Sequence, residues 1–193
     1  MVAQSRCPTL GLFGLPRRAA QGNVTTMSRL RRPFLSDRFF FVTCNLARRR
    51  QKLTEDDFAR LAEVIQSLRE EHKFFLTAWV FLPDHWHAIV FPRHPLTISR
   101  VMEVIKVQST VKVNLRRKTD SRLWQARFFD RAVRTVKEYH ECVDYIHLNP
   151  VSRGLVERPE EWRWSSFASY SDRPAAILPV DVIRLPADQN TRL

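Results

Sequence analysis

Apolar positions along the chain change period several times, and each change marks an element. Positions 38–46 are rich in aromatic and β-branched residues and read as a strand, with Phe39 and Phe41 on one face and Phe40 on the other. A helical period follows over 54–71. Thr54 opens it, Asp57 lies in its first turn, and Phe58, Leu61, Ile65 and Leu68 form one stripe. Two apolar runs, 74–82 and 85–91, flank Pro83-Asp84 and read as an antiparallel pair joined by a turn. A second helix is expected over 97–117, with Ile98, Met102, Ile105 and Val111 inward. Positions 123–133 offer a further strand. The last helix covers 134–150, with Thr135 as N-cap, Glu138 completing a capping box, Val136, Tyr139, Val143 and Ile146 as its stripe, and Pro150 at its end. Strands and helices interleaved around an antiparallel pair predict a ferredoxin-like α+β fold, a sheet with flanking helices.

These elements lie within 27–171, which reads as one domain. Positions 1–26 lack usable periodicity and no signal-peptide pattern is present, so they read as a disordered extension, or as sequence ahead of a true start at Met27. Positions 172–193 form a C-terminal tail, in which Ile177-Leu178 and 180–185 can pack as an appended segment.

The formal charge of +12 and a pI near 10.6 call for a polyanionic partner. No apolar run is long enough to span a bilayer, so no membrane is expected. Cys7, Cys44 and Cys142 show neither C-x-x-C spacing nor a disulfide framework, which fits a reducing cytoplasm. The basic residues cluster at Arg29, Arg31, Arg32 and Arg38, at Arg48-Arg49-Arg50-Lys52, and at Arg116-Arg117-Lys118 with Arg122, Arg127, Arg131 and Arg134. The last cluster is interleaved with Trp124, Phe128 and Phe129, the mixture that single-stranded nucleic acid favours. Some of those rings are expected in the core, as are Trp162 and Trp164. Arg31, Arg32, Arg116, Arg117, Lys118, Arg122, Arg127 and Arg131 are the candidate phosphate contacts.

Candidate chemistry centres on His85-Trp86-His87. On a strand, residues two apart share a face, so the imidazoles project together while Trp86 enters the core. Two imidazoles supply two-thirds of a divalent-metal site. Alone they read better as polar side chains on a solvated face. The last helix adds Tyr145 and Asn149, one turn apart and off the apolar stripe. A tyrosine hydroxyl, with an ordinary pKa of about 10, is a poor nucleophile near neutrality. A nearby Mg2+ or Mn2+ would orient and polarise a phosphodiester for it. Tyr145 also reads as a surface aromatic, and Asn149 as a helix cap before Pro150.

With these residues in place, five segments taken in order resemble the REP-associated tyrosine transposases, relatives of the HUH single-strand transposases. They are F-F-F-V-T at 39–43, A-W-V-F-L-P-D-H-W-H at 78–87, L-W-Q-A-R-F-F-D at 123–130, V-D-Y-I-H-L-N-P-V at 143–151 and W-R-W-S-S at 162–166. The resemblance implies the same fold. It makes His85, His87 and Asn149 ligands of Mg2+ or Mn2+, and Tyr145 the nucleophile of a metal-dependent single-strand DNA endonuclease and strand transferase. That enzyme would act on palindromic repeat hairpins through a 5′-phosphotyrosine, in a bacterial cytoplasm at the nucleoid, as a monomer or homodimer. Two alternatives stand beside it. One is a non-catalytic protein that holds DNA hairpins. The other is an RNA-binding protein, which requires solvent-facing aromatics on the central strands.

Overall fold

The computed structural model describes residues 36–171 and 176–193. The expectations placed on 1–26, and on Arg29, Arg31 and Arg32, lie outside these residues. Four strands, β1 (Phe40–Asn45), β2 (Phe74–Leu82), β3 (His85–Pro92) and β4 (Phe129–Ala132), form one antiparallel sheet in the order β2-β3-β1-β4. Three helices, α1 (Glu55–His72), α2 (Ile98–Arg117) and α3 (Val136–Ser152), complete the expected ferredoxin-like α+β arrangement.

Strand alternation divides the core in two. Phe40, Val42, Cys44, Trp79, Phe81 and Trp86 face α1 and α2. Phe39, Phe41, Ala78, Val80, Leu82 and Ile89 face α3, whose Tyr139, Cys142, Val143 and Ile146 cover them. Trp86 is wholly buried, as its position between the two histidines requires. Each imidazole therefore lies on the α3 side. The aromatic side chains of β1 and of the residue just before it are buried on both faces, so Phe39, Phe40 and Phe41 do not form the open platform that the RNA-binding alternative needs.

Local chemistry explains the boundaries. The Thr54 N–H and hydroxyl both donate to the Asp57 carboxylate, at 2.8 and 2.9 Å, and so start α1. Asp57 is fully buried and receives Arg116 at 2.8 Å and Arg117 at 2.6 Å from the last turn of α2. Burial alone would raise its pKa, but the bonds from Arg117, Thr54 and Arg116 outweigh it and hold the carboxyl at about 2. Thr97 caps α2 by accepting from the Arg100 N–H.

Four expectations need correction. Val111 is 63% exposed, because the buried face of α2 runs through Ile98, Met102, Ile105, Ser109 and Val113, and position 111 falls on the opposite side. The region 123–133 yields the short β4 and, ahead of it, an isolated antiparallel bridge of Trp124 to Leu46; the Trp124 side chain enters the core, where its Nε1 donates to Ser109 Oγ at 2.8 Å. Pro150 does not end α3, which runs to Ser152. A proline this close to the C-terminus forfeits one backbone bond and little else. Glu138 does not close a capping box on Thr135; it accepts instead from the Arg134 N–H at 2.7 Å, while Thr135 Oγ1 accepts from the Glu138 N–H at 3.2 Å.

Residues 176–193 strap the domain. Ala176 and Leu178 enter the α1/α2 core. Asp181 pairs with Arg69 at 2.7 Å and accepts the Leu76 N–H. Further on, the first N–H groups of α3, from Val136 and Lys137, donate to the carbonyls of Thr191 and Gln189.

Candidate active site

The register of β1 on β3 sets Thr43 opposite His87 and Asn45 opposite His85. Directly paired residues share a face, so Thr43 stands beside the histidines on the α3 side. Its Oγ1 lies 2.8 Å from His87 Nδ1. His85 Nδ1 lies 2.6 Å from the carboxylate of Asp84, the last residue of the β2–β3 turn. With both δ nitrogens engaged, the two ε nitrogens face each other at 3.0 Å.

Asp84 assigns the protons. An ionised carboxylate only accepts, so His85 donates from Nδ1 and carries a lone pair on Nε2. His87 then donates Nε2–H to it and accepts the Thr43 hydroxyl at Nδ1. Both imidazoles are held neutral. Burial lowers the pKa of His85 against the pull of Asp84. Burial takes His87 well below its ordinary value, with His85 and Arg153 adding to the effect. Asp84 stays ionised: the His85 bond and the nearby Arg153 overcome its partial burial.

α3 closes the site from above. The Tyr145 ring packs edge-on against His87 with centroids 5.3 Å apart, and against Phe41 at 5.7 Å. Two turns on, Arg153 reaches back to Asp84 at 3.3 Å. Asn149 sits between these two contacts along the helix. Its side chain is buried, and Oδ1 has no hydrogen-bond partner. A buried amide oxygen left unpaired costs about 1–3 kcal/mol unless a ligand supplies what is missing. The structure therefore brings His85, His87 and Tyr145 into ring contact, and places Asn149 on the same stretch of helix with an open acceptor.

Phe41 is the floor of this cluster. It stacks on His87 at 5.4 Å, and meets Phe129 on β4 at 6.5 Å. Thr43, Asp84, Arg153, Phe41 and Phe129 were absent from the sequence-derived site. Asp84 stands next to His85 in sequence, and Arg153 lies one helical turn beyond Asn149, so both carried a spacing signal. Thr43 and Phe41 become neighbours of the histidines only through strand register.

The basic candidates separate. Arg117 is only 7% exposed at its side chain and divides its donors between Asp57 and the carbonyls of Gln51 and Lys52. Arg116 is bound to Asp56 and Asp57. Both serve the α1–α2 contact, on the layer opposite the histidines. Arg131 ties β4 to the first two turns of α3 through Glu138 and Cys142. Lys118, Arg122 and Arg127 are exposed.

Residues 38–149, the span that holds β1 through Asn149, match the family model described as "Transposase IS200 like". The fold is thus that of a transposase class. The chain is 33% identical over 156 residues to the REP-associated tyrosine transposase of Escherichia coli K12, covering 80% of this chain and 90% of that one. It is 29% identical over 165 residues to a putative REP-associated tyrosine transposase of Haemophilus influenzae, covering 80% and 93%. A solved REP-associated tyrosine transposase bound to a REP hairpin superposes with a TM-score of 0.66 at 30% identity, covering 86% of this chain and 99% of that one. The chain belongs to the REP-associated tyrosine transposases, within the IS200-like transposase family.

Proposed function

We propose that this protein is a metal-dependent single-strand DNA endonuclease and strand transferase that acts on palindromic repeat hairpins through Tyr145. The observation that carries the reading is the Tyr145 ring against His87, whose ε nitrogen already faces that of His85 at 3.0 Å. Hairpin DNA as partner is supported by the solved relative, which is bound to a REP hairpin.

The residues fit a divalent cation. Two neutral imidazoles and the unpaired Oδ1 of Asn149 make a mixed nitrogen and oxygen donor set, which suits Mn2+ or Mg2+. Asp84 holds His85 in the tautomer with a free ε nitrogen, the arrangement common to metal-binding histidines. The Thr43 hydroxyl can donate to His87 Nδ1 or accept from it, so His87 can release its ε nitrogen without losing its partner. Bound there, the cation would polarise the scissile phosphate and stabilise the charge that develops on it.

Tyr145 Oη attacks phosphorus, and a 5′-phosphotyrosine bond forms as the bond to the 3′-oxygen breaks. The phenol gives up its proton, and the departing oxygen leaves as a 3′-hydroxyl. The link conserves the phosphodiester bond energy, so a second 3′-hydroxyl can reverse the step and rejoin DNA. A half-buried tyrosine on a helix reaches a phosphate of an unpaired strand more readily than one in an intact duplex. The second reading, a protein that binds hairpins without cleaving them, predicts binding with no covalent adduct.

Replacing both His85 and His87 by Ala tests the cation's role. Hairpin binding should persist, while Mn2+-dependent cleavage and Mn2+ binding by the protein are lost. Cleavage unchanged in the double variant would overturn the assignment of the histidines.

A further inference from the structure

We propose that Phe129 is the platform on which an unpaired base beside the scissile phosphate stacks. The inference rests on the single-strand reading above, and names how that strand is held. Of the described phenylalanine and tryptophan rings, Phe129 alone is exposed, at 49%. Its position is not incidental. β4 pairs Phe129 with Thr43, the residue that holds His87. The ring is therefore on the histidine face, and it meets Phe41 edge-on at 6.5 Å, while Phe41 meets Tyr145 at 5.7 Å. One ring, Phe41, separates Phe129 from the tyrosine.

β4 is also an edge of the sheet, so Phe129 stands where the floor of the site opens to solvent. A strand entering from that edge crosses Phe129 before it reaches Tyr145. Arg127, exposed two residues earlier, supplies positive charge on the approach. Exposed aromatics beside cations are the surface that unpaired bases favour, because every base presents a π face. The core alternative does not account for Phe129. Phe41 is 7% exposed and already covered by Tyr145, and a ring left half in water adds little to its packing.

The test is a thermodynamic cycle on the full chain carrying Tyr145→Phe, which removes the nucleophile and isolates binding. The probe is a DNA hairpin with an unpaired flank, and a series of the same oligonucleotide abasic at each flank position in turn. Phe129→Leu should weaken binding of the intact probe roughly tenfold, as loss of one stacked base does. At one abasic position that loss should vanish, because the base is already missing. Phe129→Trp should retain the affinity and the coupling. Equal loss across the whole abasic series, or no loss with Phe129→Leu, would overturn the platform. Wild-type protein with an intact Phe129 cycle but no covalent adduct would instead leave the platform standing and remove the nuclease reading.

Discussion

Asp84 and Thr43 decide what the two histidines can do. Each occupies a δ nitrogen, at 2.6 and 2.8 Å, and so directs the ε nitrogens toward each other. Partners of this kind commonly change metal affinity 10–100-fold when removed. Asp84→Asn should therefore weaken Mn2+ binding within that range while leaving hairpin affinity intact, as titration of the metal and of labelled hairpin would show. Unchanged Mn2+ affinity would mean that His85 needs no carboxylate. Tyr139 provides the contrast to Tyr145. Among the described residues its hydroxyl meets only Tyr170 Oη, at 3.2 Å, and Tyr170 in turn donates to the Thr77 carbonyl. Tyr139→Phe should cost about 1 kcal/mol of stability and leave cleavage unchanged. The histidine pair, Tyr145 and Asn149 were legible in the sequence because i,i+2 on a strand and i,i+4 on a helix are local geometry. Thr43 was not, nor was the place of Phe129 beside the histidines, because cross-strand register brings both in from other parts of the chain.

At the scale of elements, the contact between α1 and α2 turns on one buried carboxylate. Asp57 caps α1 through Thr54 and takes two guanidiniums from α2. Removing its charge leaves Arg117 buried without a counterion, so Asp57→Asn should lower stability by about 3 kcal/mol in denaturant unfolding. A loss below about 1 kcal/mol would show that Arg117 finds water or another partner. The sequence showed the cap but not the arginines, whose run at the end of α2 read as a phosphate-binding patch. Their side chains turn inward because the N-terminus of α1 brings a carboxylate to them. α1 and the β2–β3 hairpin were legible almost to the residue, since their apolar periods are uninterrupted. α2 and β4 were less so. Ser109 holds a buried position of α2 and accepts from Trp124, and the edge pairing is interrupted between the Trp124 bridge and β4.

Over the whole molecule, charge and buried histidine set the response to conditions. His147 is buried against Ser166 Oγ at 2.9 Å, and burial holds its pKa at about 4 against an ordinary 6.5. Between those values the unfolded chain binds a proton that the folded chain refuses. Stability is thus full above pH 6.5 and falls by about 3 kcal/mol as pH drops toward 4. His85 and His87 shift the same way. His147→Gln should flatten the slope of unfolding free energy against pH in that window, and an unchanged slope would exclude His147 as its source. Salt probes the surface charge. Lys118, Arg122 and Arg127 are exposed, and their joint replacement by Ala should lower the slope of log affinity against log salt by up to about 2, at roughly 0.7 per contact to a single strand. An unchanged slope would place the phosphate contacts elsewhere. Denaturing electrophoresis of labelled single-stranded hairpin DNA incubated with Mn2+ shows whether Tyr145 is the nucleophile. Wild type and Tyr139→Phe should give a covalent protein–DNA band, and Tyr145→Phe should bind the hairpin yet give none. A covalent band that survives in Tyr145→Phe would exclude Tyr145 as the nucleophile.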